Sequence, residues 1–214
     1  MARSPTRYGR IYVLAGTNGA GKSSIGGEAL WAAGVEFFNP DEAARRIRAE
    51  QHLTQSDCNS IAWHHGRRLL ERSIAEQLDL AFESTLGGET ITSLLERAAE
   101  AGLEVRVWYA GLASPELHIE RVRKRVAKGG HDIPEADIRR RYDQSRLNLI
   151  RLLPKLTELR VYDNSTEGDP DAGHEPTPRL LLHWRERRIV EPSNLGKTPN
   201  WAKPLVVIAM KLAR

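Results

Sequence analysis

The chain has 214 residues, enough to close one sizeable core and too few for two ordinary domains, so a single domain over 1–214 is expected. Hydrophobic residues make up 40% and charged residues 28%, an ordinary globular balance that suits an enzyme or a binding module equally. Lys and Arg (32) exceed Asp and Glu (28) by only four, which argues against a dedicated nucleic-acid binder and fits a solvated surface or an anionic ligand such as a nucleotide.

The opening Met1-Ala2-Arg3-Ser4-Pro5 is followed by no apolar stretch of signal-peptide length. The lone Cys58 cannot form an internal disulfide. A reducing cytoplasm is therefore the expected compartment. Ile11-Tyr12-Val13-Leu14-Ala15, closed by Gly16, reads as a buried parallel strand, with a helix beginning near Lys22. Val35-Glu36-Phe37-Phe38 reads as a second strand. A long helix from about Asp57 to Gln77 carries Ile61, Leu69, Leu70 and Ile74, and Leu80-Ala81-Phe82 follows as a third strand.

A helix is expected from about Thr90 to Ala101, ended by Gly102, and then a strand over Val105 to Ala110. Ser114-Pro115-Glu116 starts the next helix, since Ser caps the free amides and Pro suits the first turn. It runs to about Lys128, where Gly129-Gly130-His131-Asp132 breaks it; Ile133-Pro134-Glu135 opens another that reaches about Leu153. Leu159 to Tyr162 gives a fifth strand, residues 167–178 a Gly, Pro and acid-rich loop, and Leu180 to Val190 a small hairpin. The apolar run Leu205 to Met210 is far short of the roughly 20 residues of a membrane helix, so it reads as core or a packed edge, with Trp201-Ala202-Lys203-Pro204 laying the tail (about 178–214 with the hairpin) across the sheet edge. No membrane role is expected. Alternating strands and helices with right-handed crossovers imply an α/β fold, a three-layer α/β/α arrangement around a central parallel sheet of about five strands.

Gly16-Thr17-Asn18-Gly19-Ala20-Gly21-Lys22-Ser23 fits G-x-x-x-x-G-K-[ST] at every fixed position and lies between a predicted strand and a predicted helix. That is the pattern of a P-loop NTPase. Its glycines let successive amides turn inward around a phosphate, Lys22 adds a full positive charge, and the Ser23 hydroxyl is placed to hold Mg²⁺. Ligands of an open parallel sheet sit beyond the carboxyl ends of its strands, and two acids stand there: Asp41, after the second strand, and Glu83, after the third. Asp41 suits a base that takes or orients the proton of an attacking hydroxyl; alternatively Pro40-Asp41-Glu42 only starts a helix. Glu83 suits substrate hydroxyls or Mg²⁺-bound water, assisted by Thr85, or else is a solvated strand end.

Residues from about 121 to 145 have the makeup of a lid, with basic residues on both sides of a Gly129-Gly130 hinge. Ile138, Tyr142, Ser145, Leu149 and Leu152 mark the inward stripe of its second helix, which sets Arg141 about 60° from the stripe and Arg140 on the far side. Arg121 and Arg125 share a face of the preceding helix, Arg125 nearer the hinge, and His131 lies within it.

These residues resemble the zeta toxin-like P-loop kinases. The likeness rests on Gly16 to Ser24, Asn39-Pro40-Asp41, Glu83-Ser84-Thr85-Leu86 and the run from Arg125 to Pro134 leading into Arg141-Tyr142, and it extends over roughly residues 10–165. Members studied as toxins phosphorylate UDP-N-acetylglucosamine, so the resemblance implies a kinase that uses ATP and Mg²⁺, with a UDP-sugar as acceptor and an antitoxin protein as candidate partner. It puts Asp41 at the base position, Lys22 at the phosphate-loop lysine, Glu83 at the substrate-side acid, and Arg125 and Arg141 at the lid arginines. The family's toxins are usually longer, and the stretch between Asp41 and Glu83 leaves limited room for an elaborate sugar-nucleotide pocket.

Two other readings compete: a kinase of nucleotides or nucleic-acid 5′ ends, and an ATP-dependent switch that acts by binding a protein partner. Trp31, Trp63, Trp108, Trp184 and Trp201 are scattered rather than grouped into a stacking platform, so they read as core or edge residues and do not favour nucleic acid.

Overall fold

The computed structural model describes residues 8–23, 25, 37–166, 177–191 and 194–213; the helix expected after Lys22, Ser24, Trp31, the first half of the second predicted strand and most of the 167–178 loop lie outside them. Among these residues seven strands form one sheet: β1 (Arg10–Ala15), β2 (Phe37–Phe38), β3 (Leu80–Ser84), β4 (Glu104–Gly111), β5 (Glu158–Asp163), β6 (Arg179–Arg185) and β7 (Arg188–Glu191), in the order β2-β3-β1-β4-β5-β6-β7. The first five run parallel, with Val13 opposite Phe82 on one side and Val107 on the other, and Val107 opposite Leu159. β6 and β7 join antiparallel, so the sheet exceeds the expected five strands. The added hairpin belongs to the sheet because Leu182 and Trp184 alternate inward from β6 and complete the same core as the parallel strands.

The described residues hold six α-helices: α1 (Pro40–Glu50), α2 (Gln55–Glu76), α3 (Glu89–Glu100), α4 (Pro115–Ala127), α5 (Glu135–Leu152) and α6 (Lys203–Leu212). Alternation along the strands decides which face meets which helices. Ile11, Val13 and Ala15 of β1, Val105, Val107 and Tyr109 of β4, and Leu159 and Val161 of β5 all point to one face. There they meet Leu94, Leu95 and Ala98 of α3, Leu149 and Leu152 of α5, and Leu205, Val206 and Ala209 of α6. Tyr12, Leu14 and Trp108 point to the other face and meet Ile25 and Phe37. The inward stripe read from α5 holds: Ile138, Ser145, Leu149 and Leu152 are buried and Tyr142 is partly so.

The tail departs from expectation in its placement. Trp201 is buried against Gly111 at the end of β4, the middle strand of the sheet, with its ring 6.3 Å from that of Tyr109. It therefore covers the sheet's face rather than its edge, and α6 packs beside α5. No described helix is long and apolar enough to cross a membrane.

The ends of the elements nearest the carboxyl side of the sheet are set by local chemistry. Asn39 caps α1, its Oδ1 accepting from the amides of Asp41 (2.9 Å) and Glu42 (3.3 Å), with Pro40 in the first turn. The Ser114 hydroxyl accepts from the Leu117 amide and starts α4. Gly129, at φ +86°, ends it.

Candidate active site

The chain leaves β1 at Ala15 and turns through Gly16 (φ +139°), Gly19 (φ +80°) and Gly21 (φ +72°), backbone that side-chain-bearing residues rarely adopt. At Gly16 a side chain would also collide with the Ala110 carbonyl oxygen of β4, so this position requires glycine twice over. The turn is anchored from several elements. The Gly16 amide donates to the Ser84 carbonyl (3.2 Å), Asn164 Nδ2 donates to the Ala20 carbonyl (2.9 Å), and Arg141 Nη1 donates to Asn18 Oδ1 (2.8 Å). His118 of α4 lies 2.8 Å from the Asn18 carbonyl through Nδ1. Because a carbonyl only accepts, that nitrogen carries the proton. Burial pushes the His118 imidazole down to about 4, despite the Asn18 bond, which favours the charged form.

Lys22 is buried, and its Nζ donates to the Gly16 carbonyl at 3.0 Å. It also stands 3.3 Å from Glu83 Oε1, while Asn39 Nδ2 donates to Glu83 Oε2 at 3.3 Å. Two separate stretches, the loop after β1 and the cap of α1, thus converge on one carboxylate at the end of β3. Thr17, Asn18 and Ala20 are buried beside Lys22, whereas Ser23, at the first turn of the following helix, is exposed.

Above this floor opens a cleft of about 350 Å³. Asn18, Lys22, Asp41, Glu83, Thr85 and Arg141 all line it, together with His131 of the hinge, so the structure brings these sequence-selected residues to one cleft. Asp41 lies in the first turn of α1, where its amide is held by the cap, and it also lines the cleft. Arg141 is steadied by Asp137, whose Oδ2 lies 3.3 Å from Nη2. Arg125 is not in the lining. Its Nη2 donates to the His131 carbonyl at 3.0 Å and its stem lies against Gly130, so it braces the hinge.

The segment after β3 is shaped from below. Leu86, buried, sits at φ +50°, an uncommon conformation for a branched residue that costs on the order of 1 kcal/mol. Asn148 of α5 donates to its carbonyl at 2.7 Å, and Ser145 donates to the Thr85 carbonyl at 2.6 Å. Tyr109 in turn donates to Ser145 Oγ at 3.1 Å, and burial holds its phenol up at about 12, so it stays a neutral donor.

Several cleft residues escape the sequence reading. Arg140, placed on the far side by helical angle, reaches the rim, its Nη1 3.5 Å from the Gly87 carbonyl, because the glycine turn after β3 rises to meet α5. Asn18 and Asn39 lie within motifs the sequence shows, but their side-chain bonds to Arg141 and Glu83 do not follow from those motifs. Trp63, expected in core or edge, is 40% exposed and lines the cleft with Arg67 one turn on. The remaining signal was the helical spacing of Asn59, Trp63 and Arg67.

The loop geometry fits a triphosphate: a glycine turn of positive φ, a buried lysine at its end and an exposed hydroxyl one residue later. No group of three or more His, Cys, Asp or Glu side chains able to hold a metal occurs among the described residues. Of the loop's side chains, the Ser23 hydroxyl would hold a divalent ion, together with phosphate oxygens and water.

A phosphate loop of this build at the carboxyl end of a mostly parallel sheet, facing an acid-lined cleft, defines an ATP-dependent P-loop kinase. The zeta toxin family model matches residues 3–167, and the chain belongs to that family. An uncharacterized protein of Haemophilus influenzae is 31% identical over 128 residues, 59% of this chain and 88% of the relative. Among solved structures, the PezAT chromosomal toxin–antitoxin system of Streptococcus pneumoniae is similar in fold, with a TM-score of 0.56 at 15% identity over 99% of this chain and 88% of that one. The AvrRxo1-ORF1:ORF2 complex with ATP gives a TM-score of 0.62 at 15% identity over 95% of this chain, which spans 64% of that protein's length.

Proposed function

We propose that this kinase moves the γ-phosphate of ATP to a hydroxyl of a small molecule seated in the cleft, with a UDP-sugar such as UDP-N-acetylglucosamine as the acceptor class. The observation that carries the reading is the grip of Lys22 and Asn39 on Glu83 at the base of a cleft that Asp41 and Arg141 also line.

A triphosphate in the loop offers Lys22 a stronger partner than Glu83. Release of Lys22 frees one oxygen of Glu83 to accept a hydrogen bond from an acceptor hydroxyl, with Asn39 keeping the other oxygen in place. Thr85 adds a hydroxyl next to it. Asp41 takes the proton of the attacking hydroxyl as the new oxygen–phosphorus bond forms and the β–γ bridge breaks, leaving ADP. Mg²⁺, held through Ser23, would neutralise charge on the phosphate oxygens. Arg141, fixed by Asn18 and Asp137, stands where charge spreads over the transferring group, and Arg125 acts through the hinge it braces. Gly16 to Ser23 cradle the nucleotide. A cytoplasmic setting suits both ATP and a UDP-sugar, and an antitoxin partner is suggested by the toxin–antitoxin relative.

Incubation with γ-labelled ATP and a panel of UDP-sugars, nucleosides and oligonucleotides tests the reading. Label is expected on a UDP-sugar; label on an oligonucleotide end, or only as free phosphate, would contradict it. Asp41→Asn is expected to keep ATP affinity and to lose transfer by about 100-fold or more. Full activity in that variant would remove Asp41 from the mechanism.

A further inference from the structure

The second helix of the lid, α5, starts beside the cleft and ends in the core, where Leu149 and Leu152 are buried. Arg141, Ser145 and Asn148 interrupt its apolar stripe at intervals of four and three, so they stand on one face within about 60° of one another. Ser145 and Asn148 are buried to 0% and 3% exposure, where an apolar side chain would pack without the cost of desolvating a polar group.

Their hydrogen-bonding capacity is filled by the segment after β3. The Ser145 hydroxyl accepts from Tyr109 and donates to the Thr85 carbonyl. Asn148 Nδ2 reaches the carbonyls of Leu86 at 2.7 Å and Gly88 at 3.4 Å, and its Oδ1 accepts from Gln144 at 2.9 Å. Two side chains of one helix therefore hold three carbonyls in the stretch that directly follows Glu83 and Ser84. The same face also grips the phosphate loop. Arg141 Nη1 donates to Asn18 Oδ1, and the Thr17 hydroxyl donates to the Arg141 carbonyl at 3.4 Å. Arg141 touches the acceptor side as well, since a side chain at Gly87 would come within 2.7 Å of its Cγ. Phosphate loop and acceptor segment are thus fastened to about two turns of one helix, a length over which a helix is stiff. Two direct links also join them, the Gly16 amide on the Ser84 carbonyl and Lys22 on Glu83, but both end at or before Ser84, whereas the bonds to the carbonyls of Thr85 and Leu86 come from α5.

Resting on the kinase reading above, we infer that Ser145 and Asn148 are positioning residues that couple the two halves of the site: a nucleotide drawn against Arg141 fixes, through α5, the segment that carries Thr85 and follows Glu83. Neither side chain lines the cleft, so both act through the backbone they hold. By linkage the coupling is reciprocal. An acceptor that orders the segment tightens the nucleotide, and the complete alignment forms only when both are bound.

Hydrogen exchange, read by mass spectrometry on peptides spanning residues 84–90, tests the coupling in the wild type, Ser145→Ala and Asn148→Ala, each free and saturated with Mg²⁺ and a non-hydrolysable ATP analogue. The reporters are the amides of Leu86 and Gly87, which donate to Ser84 Oγ at 3.0 Å and Thr85 Oγ1 at 3.3 Å. In the wild type the analogue is expected to slow their exchange about fivefold or more. Both variants are expected to bind the analogue within about threefold of the wild-type affinity and to lose that slowing. Unchanged exchange in β4 shows that a variant is folded; if Asn148→Ala is not, Ser145→Ala, which removes a single oxygen, decides the matter. A brace without a coupling role would speed exchange equally with and without analogue and leave the ratio intact, and that result would overturn the inference. An analogue that binds the wild type but leaves Leu86 and Gly87 unaffected overturns it too, while sparing the kinase. A wild type that fails to bind the analogue sinks the kinase reading and the coupling together.

Discussion

Beneath the cleft, the phosphate loop is held by four elements at once, whereas the walls above it are made of long side chains projecting from helices. The loop is backbone fixed by backbone and buried groups: the Ser84 carbonyl, His118, Asn164 and Asn18 with its arginine. The walls are Arg140, Trp63 and Arg67, exposed or half-exposed and tied to one or two neighbours each. A triphosphate is the same in every turnover and rewards a rigid cradle. The acceptor is what distinguishes one such kinase from another, and side chains on helix faces can change without disturbing the sheet.

The contrast can be broken most forcefully at Gly16. Gly16→Ala forces a side chain onto the Ala110 carbonyl at φ +139°. We expect a loss of about 3 kcal/mol or more in stability, seen as a melting temperature lower by roughly 10 °C, together with loss of nucleotide binding. Normal stability and affinity in the Gly16→Ala protein would show that the floor is not rigid.

Acid should act on the same floor. The imidazole of His118 is held down at about 4 in the folded chain against an ordinary 6.5, so the folded state favours its neutral form. The stability from this group is complete above about pH 6.5, declines as pH falls toward 4 and then levels off. Between pH 7 and pH 5 the loss is about 2 kcal/mol. Comparing thermal melts of the wild type with those of His118→Asn isolates it, since the variant should lack that part of the slope. Equal slopes would mean that His118 is as easily protonated in the fold as outside it.

The smallest effects should separate the lid arginines. Arg141→Ala, which removes a cation fixed beside the loop, is expected to lower kcat by about 10- to 100-fold. Arg125→Ala, which loosens a hinge, is expected to lower it less than about threefold, with any loss shared by KM. Equal losses in kcat alone would put Arg125 at the phosphate during closure and sharpen the account of the lid.

How far the sequence could be read follows the same division. The loop from Gly16 to Ser23 was legible because its chemistry lies in consecutive residues, and the α/β order because each strand and helix carries its own period. Asp41 and Glu83 were legible as acids after strands, but their link through Asn39 was not, since it needs the loops after β1, β2 and β3 side by side. Arg140 was misplaced because helical angle says nothing of a loop that climbs toward the helix. Trp63 read as a core or edge residue because its place on the cleft wall follows from α2 lying against Phe38 at Gly66, a contact that exists only in the fold. The hairpin was visible, yet its membership of the sheet depends on Leu182 and Trp184 finding the same core as β5.

Titration calorimetry of Mg²⁺–ATP into the wild type and Lys22→Ala bears most directly on the claim that Lys22 leaves Glu83 for a triphosphate. The wild type should bind, Lys22→Ala should bind at least 100-fold more weakly, and Glu83→Gln, which removes the competing carboxylate charge, should bind at least as tightly as the wild type. No heat with the wild type, or equal affinity without Lys22, would contradict it.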